Sequence, residues 1–214
     1  MTRIPSTTIL PPGTAGRVEY DVLGNEGVKT DTAKAKALLE EAGKTGFELK
    51  FFYETDDPTS VDAKDVVVQS MEEAGFKVTP LASTEATRRD DESNANSPAN
   101  IRSTGWCSDW PSGGSWFPAQ WDGELVKVPG APNPSFLNEP DVNKKINDIL
   151  DNLEGEEAAA AWGELDEYIQ TEHYPAVTIG YSGVASMFGS RIGGMTVENV
   201  RGMPNFLDMY VIPE

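Results

Sequence analysis

The residues best able to do chemistry stand in one stretch, Trp106-Cys107-Ser108-Asp109-Trp110-Pro111-Ser112-Gly113-Gly114-Ser115-Trp116-Phe117. It sets an aspartate between two indoles, on a chain expected to be leaving a strand. In open α/β sheets, ligands gather at the carboxyl ends of strands. A carboxylate shielded by aromatic rings is poorly screened, so it attracts an ammonium more strongly than an exposed one does. The indoles can add cation–π and packing energy. The residues alone leave two readings open. Asp109 captures a ligand amine, or it caps a turn beside tryptophans that belong to the core.

Other reactive types are scarce. Cys107 is the only cysteine and His173 the only histidine. One cysteine excludes an internal disulfide and any cysteine-cluster metal site. One imidazole excludes the common zinc sets. Cys107 is expected to be a small buried filler, with no histidine adjacent in sequence to activate it. His173 is expected at a helix end, in a solvated or capping role. The acidic runs Asp90-Asp91-Glu92 and Glu154-Gly155-Glu156-Glu157 lack the alternating spacing of a calcium loop and read as solvated surface. Gly193-Gly194 reads as a turn, because no lysine and Ser/Thr pair follows it. No enzyme signature, metal site or cofactor is expected.

Charge narrows the partners. The 214 residues carry a formal net charge of -18. That argues against nucleic acid, whose phosphates need clustered Lys and Arg, and against anionic lipid surfaces. A composition of 38% hydrophobic and 24% charged residues suits a soluble globular fold. No apolar run reaches the ~18 residues that span a bilayer. The start lacks a secretory core, so the chain reads as cytosolic or as a piece of a larger exported protein.

The positioning elements follow from periodicity. Residues 1–27, rich in Pro, Gly and Thr, read as an extended segment with little core of its own, and 28–214 as one α/β domain. A helix is expected from Asp31 as N-cap to Gly43, with Ala35, Leu38, Leu39 and Ala42 on one face. Phe47 to Tyr53 alternates like a strand. A second helix runs from about Val61 to Ala74, capped by Ser60, with Ala63, Val66, Val67, Ser70 and Ala74 as its face. Phe76 to Leu81 is the next strand, parallel to the first across the helical crossover. Ser83 to Asn100 reads as one short helix and a loop, and Ile101 to Trp106 as a third strand.

From Trp106 to Asn138 the pattern breaks, in a segment holding four of the five tryptophans. Such a long irregular, aromatic-rich stretch points to function. Trp116 and Trp121 are expected to pin it to the body. Two helices follow. Val142, Ile146, Ile149, Leu150 and Leu153 stripe the first, and Ala158, Trp162, Leu165 and Ile169 the second. Ala176 to Tyr181 and Val184 to Phe188 read as short strands, before an apolar tail from Phe206 to Ile212.

This order of features is similar to one family. Thr30 to Gly43 followed by Gly46-Phe47-Glu48-Leu49, then Gln69 to Val78, the Gly105-Trp106-Cys107-Ser108-Asp109-Trp110 turn, and Asn138 to Asn143 together resemble family 5 extracellular solute-binding proteins of ABC importers. The resemblance implies a periplasmic-binding-protein-like lobe with a mixed, mainly parallel sheet flanked by helices. It implies the carboxy-terminal lobe of a two-lobed, extracytoplasmic receptor, a periplasmic protein or cell-surface lipoprotein. The amino-terminal lobe would be missing here, and residues 1–27 would lie near the hinge. The implied partners are a peptide or other amine-bearing solute and a membrane permease. Asp109 then stands where the family's peptide binders pair with the peptide amino terminus, with Trp106, Cys107 and Trp110 beside it. Relatives often follow this turn with Asp-Pro, where this chain has Trp110-Pro111-Ser112-Gly113, which leaves the ligand class open. The rival reading is a carbohydrate-binding module that stacks sugars on the Trp106 to Trp121 cluster.

Overall fold

The computed structural model describes residues 2–22, 30–127, 133–183, 185–198 and 202–213. In chain order the elements are β1 (Thr2–Ile4), α1 (Thr32–Glu41), β2 (Glu48–Glu54), α2 (Pro58–Glu73), β3 (Lys77–Ser83), α3 (Arg88–Ser93), α4 (Phe117–Trp121), α5 (Pro140–Asn152), α6 (Gly155–Tyr168), β4 (Tyr181–Gly183), β5 (Ile192–Gly193), β6 (Val197–Glu198), β7 (Met203–Pro204) and β8 (Tyr210–Val211). Tight 3-10 turns occupy Gly113–Ser115 and Gly123–Lys127, and a π turn, Ile169–His173, extends α6. The chain divides into two compact units. The first combines Met1–Val28, Gly105–Pro118 and Pro140–Glu214; the second combines Lys29–Thr104 and Ala119–Glu139. Both are discontinuous in sequence, unlike the expected boundary at residue 28. The α/β class is as expected. Among the described residues, however, parallel pairing is confined to β2 and β3, while β1–β4, β5–β8 and β6–β7 are antiparallel pairs.

In the second unit, α1 begins where expected. The Asp31 carboxylate accepts from the Lys34 N–H at 2.8 Å and supplies the cap. Gly43 follows the helix at φ +63°, a conformation that favours glycine. The next helix starts earlier than Ser60. Asp57 caps it and Pro58 occupies its first turn, where a missing N–H costs nothing. Ser60 instead accepts from the Glu54 N–H at 2.9 Å. The inward face also differs from the expected one. Val61, Lys64, Val68 and Met71 are half-buried, while Ala63, Val66, Val67 and Ser70 are exposed. Only Val68 of the valine run 66–68 shares a helical face with 61, 64 and 71. Lys64 covers the Tyr53 ring, its ammonium 5.2 Å from the centroid. β2 and β3 pair from Glu48↔Lys77 to Glu54↔Ser83. The expected third strand does not form; residues 101–106 are irregular, anchored where the Asn100 and Ile101 N–H groups both donate to the Lys50 carbonyl at 3.0 Å.

The first unit is built on α5 and α6. Val142, Ile146 and Ile149 are buried on one helix, and Trp162, Leu165 and Ile169 on the other and its π turn. Leu150 stays 53% exposed. The amino-terminal segment, expected to add little core, is corrected here: Thr8, Ile9, Leu10 and Tyr20 are buried. The cause is Asp166, at 0% exposure on the apolar face of α6. Its carboxylate accepts from the N–H of Ile9 at 3.2 Å, the N–H of Leu10 at 2.9 Å and the Tyr20 hydroxyl at 2.6 Å. β1 then pairs with β4 in the register Thr2↔Gly183 to Ile4↔Tyr181. Residues 176–180 and 185–188 form no strand, and Val184 lies outside the described residues. Phe206 and Leu207 of the apolar tail are exposed.

Candidate functional site

The Trp106 to Phe117 loop is pinned to its own unit by alternate residues. Ser108, Gly113, Ser115, Trp116 and Phe117 are buried, whereas Cys107, Asp109 and Trp110 are exposed. Ser115 is the clasp. Its hydroxyl accepts from the Asp109 N–H at 2.7 Å, and its carbonyl accepts from the Trp106 indole N–H at 2.7 Å. The Trp116 indole donates to the Ser108 hydroxyl. Phe117 stacks on Trp162 of α6 with centroids 5.6 Å apart and planes 8° from parallel. A Cβ on Gly113 would sit 2.4 Å from Trp162 Cβ, so this close approach requires glycine. The result is a turn held rigidly from inside that presents Cys107, Asp109 and Trp110 to solvent.

These positions settle several expectations. Trp106 is half-buried and tethered. Cys107 is exposed, not a buried filler, because the inward place beside it is filled by Ser108. Trp116 and Trp121 are 9% and 3% exposed, so they pin the loop and cannot form a sugar-stacking platform. His173 is neither solvated nor a simple cap. Its Nε2 lies 3.0 Å from Asp141 Oδ2, which also accepts from the Tyr168 hydroxyl at 2.6 Å. The Tyr168 and His173 bonds hold the Asp141 carboxyl down at about 2. Among the described residues no cluster of His, Cys, Asp and Glu is arranged to hold a metal ion.

A wide hollow of about 590 Å³ lies elsewhere in the first unit, lined by Ser6, Thr7, Arg17, Glu19, Tyr20 and Tyr181 among others. None of the four expected site residues lines it. Its polar groups are engaged with one another. Arg17 donates to the Leu10 carbonyl at 2.8 Å, to Glu19 at 3.0 Å and to the Tyr181 hydroxyl at 3.2 Å. Sequence reasoning missed this network and Asp166. The signal for Asp166 was legible, since it stands four residues after Trp162 and three before Ile169, on the buried stripe.

With this geometry in hand, comparison with known proteins is decisive at the level of family. Residues 2–124 match the model of bacterial extracellular solute-binding proteins, family 5 Middle. The chain belongs to this family. No curated protein matches it by sequence. Solved structures do match. A clavulanic acid biosynthesis oligopeptide binding protein 2 superposes with a TM-score of 0.85 at 20% identity, over 99% of this chain and 39% of its own. The DppA periplasmic binding protein of Helicobacter pylori, in complex with the peptide STSA, gives 0.72 at 18% identity, over 99% and 39%. A dipeptide binding protein of Pseudoalteromonas sp. SM9913, in complex with Met-Leu, gives 0.73 at 17%, over 96% and 40%. This family 5 chain thus spans about two fifths of the length of these relatives. Its family is one of extracellular binding proteins, which points to binding rather than catalysis. Among the described residues no helix is long and apolar enough to cross a membrane.

Proposed function

We propose that this chain forms the carboxy-terminal, solute-binding lobe of an ABC-importer receptor, and that Asp109 receives a ligand amine. Trp106, Cys107 and Trp110 are the neighbouring contacts. The observation that carries the reading is the loop's construction: Ser108, Ser115, Trp116 and Phe117 anchor it, and Asp109 and Trp110 face outward. A backbone already anchored at the Asp109 N–H loses little freedom on binding, so more of the attraction of this residue for an ammonium appears as affinity. Peptides are the favoured solute class, in keeping with the peptide complexes of two structural neighbours. The complete protein would close on its solute by hinge motion and hand it to a membrane permease from the periplasm or a lipoprotein anchor. Residues 1–27 would lie near the hinge of that assembly, beside an amino-terminal lobe.

The test uses the complete two-lobed protein. Calorimetry with short peptides carrying free or acetylated amino termini should show binding only of the free amine. Asp109→Ala should weaken it by about 2–5 kcal/mol, the cost of leaving one member of an enclosed charge pair alone. Equal affinity for acetylated peptides, or an unchanged Asp109→Ala protein, would remove Asp109 from the site.

A further inference from the structure

In the second unit Arg102 lies over the ring of Phe136, its guanidinium carbon 4.4 Å from the ring centroid. Its Nε donates to the Glu92 carbonyl at 2.7 Å. Phe136 holds φ at +56°, a left-handed conformation that a bulky side chain avoids. The surrounding turn enforces it. The buried Asn133 amide donates to the carbonyls of Asp122 at 3.2 Å and Leu137 at 2.9 Å. Ser135 donates to Asn133 Oδ1 at 3.0 Å and accepts from the Leu137 N–H at 3.1 Å. Strain of this kind persists only where the surroundings over-determine it, and it gathers at ligand sites. Here it fixes the platform on which the guanidinium rests.

The fork itself is left open. The nearby Glu92 carboxylate is taken by Arg88, at 3.2 Å to each oxygen, and Glu54 also pairs with Arg88. Among the described residues no group accepts from the two terminal nitrogens of Arg102. We propose that Arg102, clamped by Phe136 and the Glu92 carbonyl, is an anion-binding site that takes a carboxylate. Two coplanar N–H groups match the two oxygens of that group, and stacking on an aromatic face removes the freedom that usually weakens such a pair. One guanidinium neutralises one charge. A doubly charged phosphate would leave an excess facing Glu92, so a singly charged planar acid is the better fit. Burial lowers the Arg102 pKa, and the Glu92 charge opposes that shift. The site lies in the second unit alone and stands or falls independently of Asp109.

The carboxylate could be a free small acid, a peptide terminus or an acidic side chain, and one titration separates them. The 214-residue chain, labelled with nitrogen-15, is titrated with acetate, with N-acetyl-Ala-Ala, and with an aspartate blocked at both backbone ends. N-acetyl-Ala-Ala amide is the uncharged control. Displacement of the Arg102 Nε–H resonance by the acids and not by the amide is expected, and the tightest acid identifies the source. Arg102→Gln should weaken that affinity by about tenfold or more. Should that variant fail to fold, Phe136→Leu, which keeps the fork but frees it, is expected to weaken the same affinity. The proposal is overturned if no acid moves the resonance, if the amide moves it equally, or if the folded variant binds as the parent does.

Discussion

Replacing Asp166 by alanine should be among the most damaging single changes in the first unit. The carboxylate is 0% exposed and receives three donors, from Ile9, Leu10 and Tyr20. Those residues are themselves 8%, 0% and 9% exposed, so water cannot readily replace the lost acceptor. Each orphaned buried donor costs about 1–3 kcal/mol. Relief from burying a charge offsets part of that, and broken buried charge networks typically cost about 3–5 kcal/mol. A loss of about 3–5 kcal/mol is therefore expected for Asp166→Ala. Asp166→Asn keeps the shape but turns one oxygen into a donor facing another donor, so it should cost about 2–3 kcal/mol. Tyr20→Phe removes one donor and should cost about 1–2 kcal/mol. The assay is urea unfolding of all three proteins, read as a shift in midpoint at constant slope. Burial lifts the Asp166 carboxyl above its usual range, against the pull of its donors. A raised acid stabilises most below its unfolded value, about 4, and this contribution fades as pH rises through the folded value. The advantage of the parent over Asp166→Asn should accordingly not grow between pH 5 and 8. A cost below about 1 kcal/mol for Asp166→Ala would refute the view that this carboxylate ties the amino-terminal segment to α6.

Asp141→Asn should flatten acid unfolding between about pH 4 and pH 2, because the lowered Asp141 group stabilises above its unfolded value and loses that contribution as pH falls through about 2. With the side chain 42% exposed, screening limits the effect to about 1 kcal/mol, measurable by denaturant midpoints across pH. Gly163→Ala should destabilise by more than about 2 kcal/mol in the same assay, since its Cβ would lie 1.9 Å from the Gly16 carbonyl oxygen. Ser115→Ala removes the acceptor for the Asp109 N–H; a cost of about 1 kcal/mol is expected, with a larger proportional loss of peptide affinity in the complete protein by calorimetry.

Much of the helical framework was legible because its signals are local. Asp31 and Gly43 bracket α1, and the stripe Trp162, Leu165, Ile169 marks the buried face of α6. The second helix was misplaced because Asp57-Pro58 is as good a start as Ser60, and its valine run fits more than one face. The strand expected at 101–106 failed for a different reason. Among the described residues its backbone bonds to β2 through Ile101 at the Lys50 carbonyl alone, which pattern cannot reveal. In the candidate site, residue types singled out the Trp106 to Trp110 turn, but not which side chains face outward. That choice depends on Ser115, Gly113 and Trp162, one of them on a distant helix. The Arg102 and Phe136 pair left no trace in sequence, because their apposition comes from the Asn133 turn.

The pairing of β1 with β4 carries a consequence for how the molecule is made. The Thr8 and Tyr181 hydroxyls that meet beside it are separated by 173 positions. Contacts so remote must overcome a large closure entropy before they reward the chain, which slows folding. As synthesis proceeds, Thr2 to Tyr20 emerge before α6 and β4 and must wait for them as partners. Until α6 and β4 exist, that stretch lacks the partners it has in the folded unit, and its apolar residues stay open to chaperones or to aggregation.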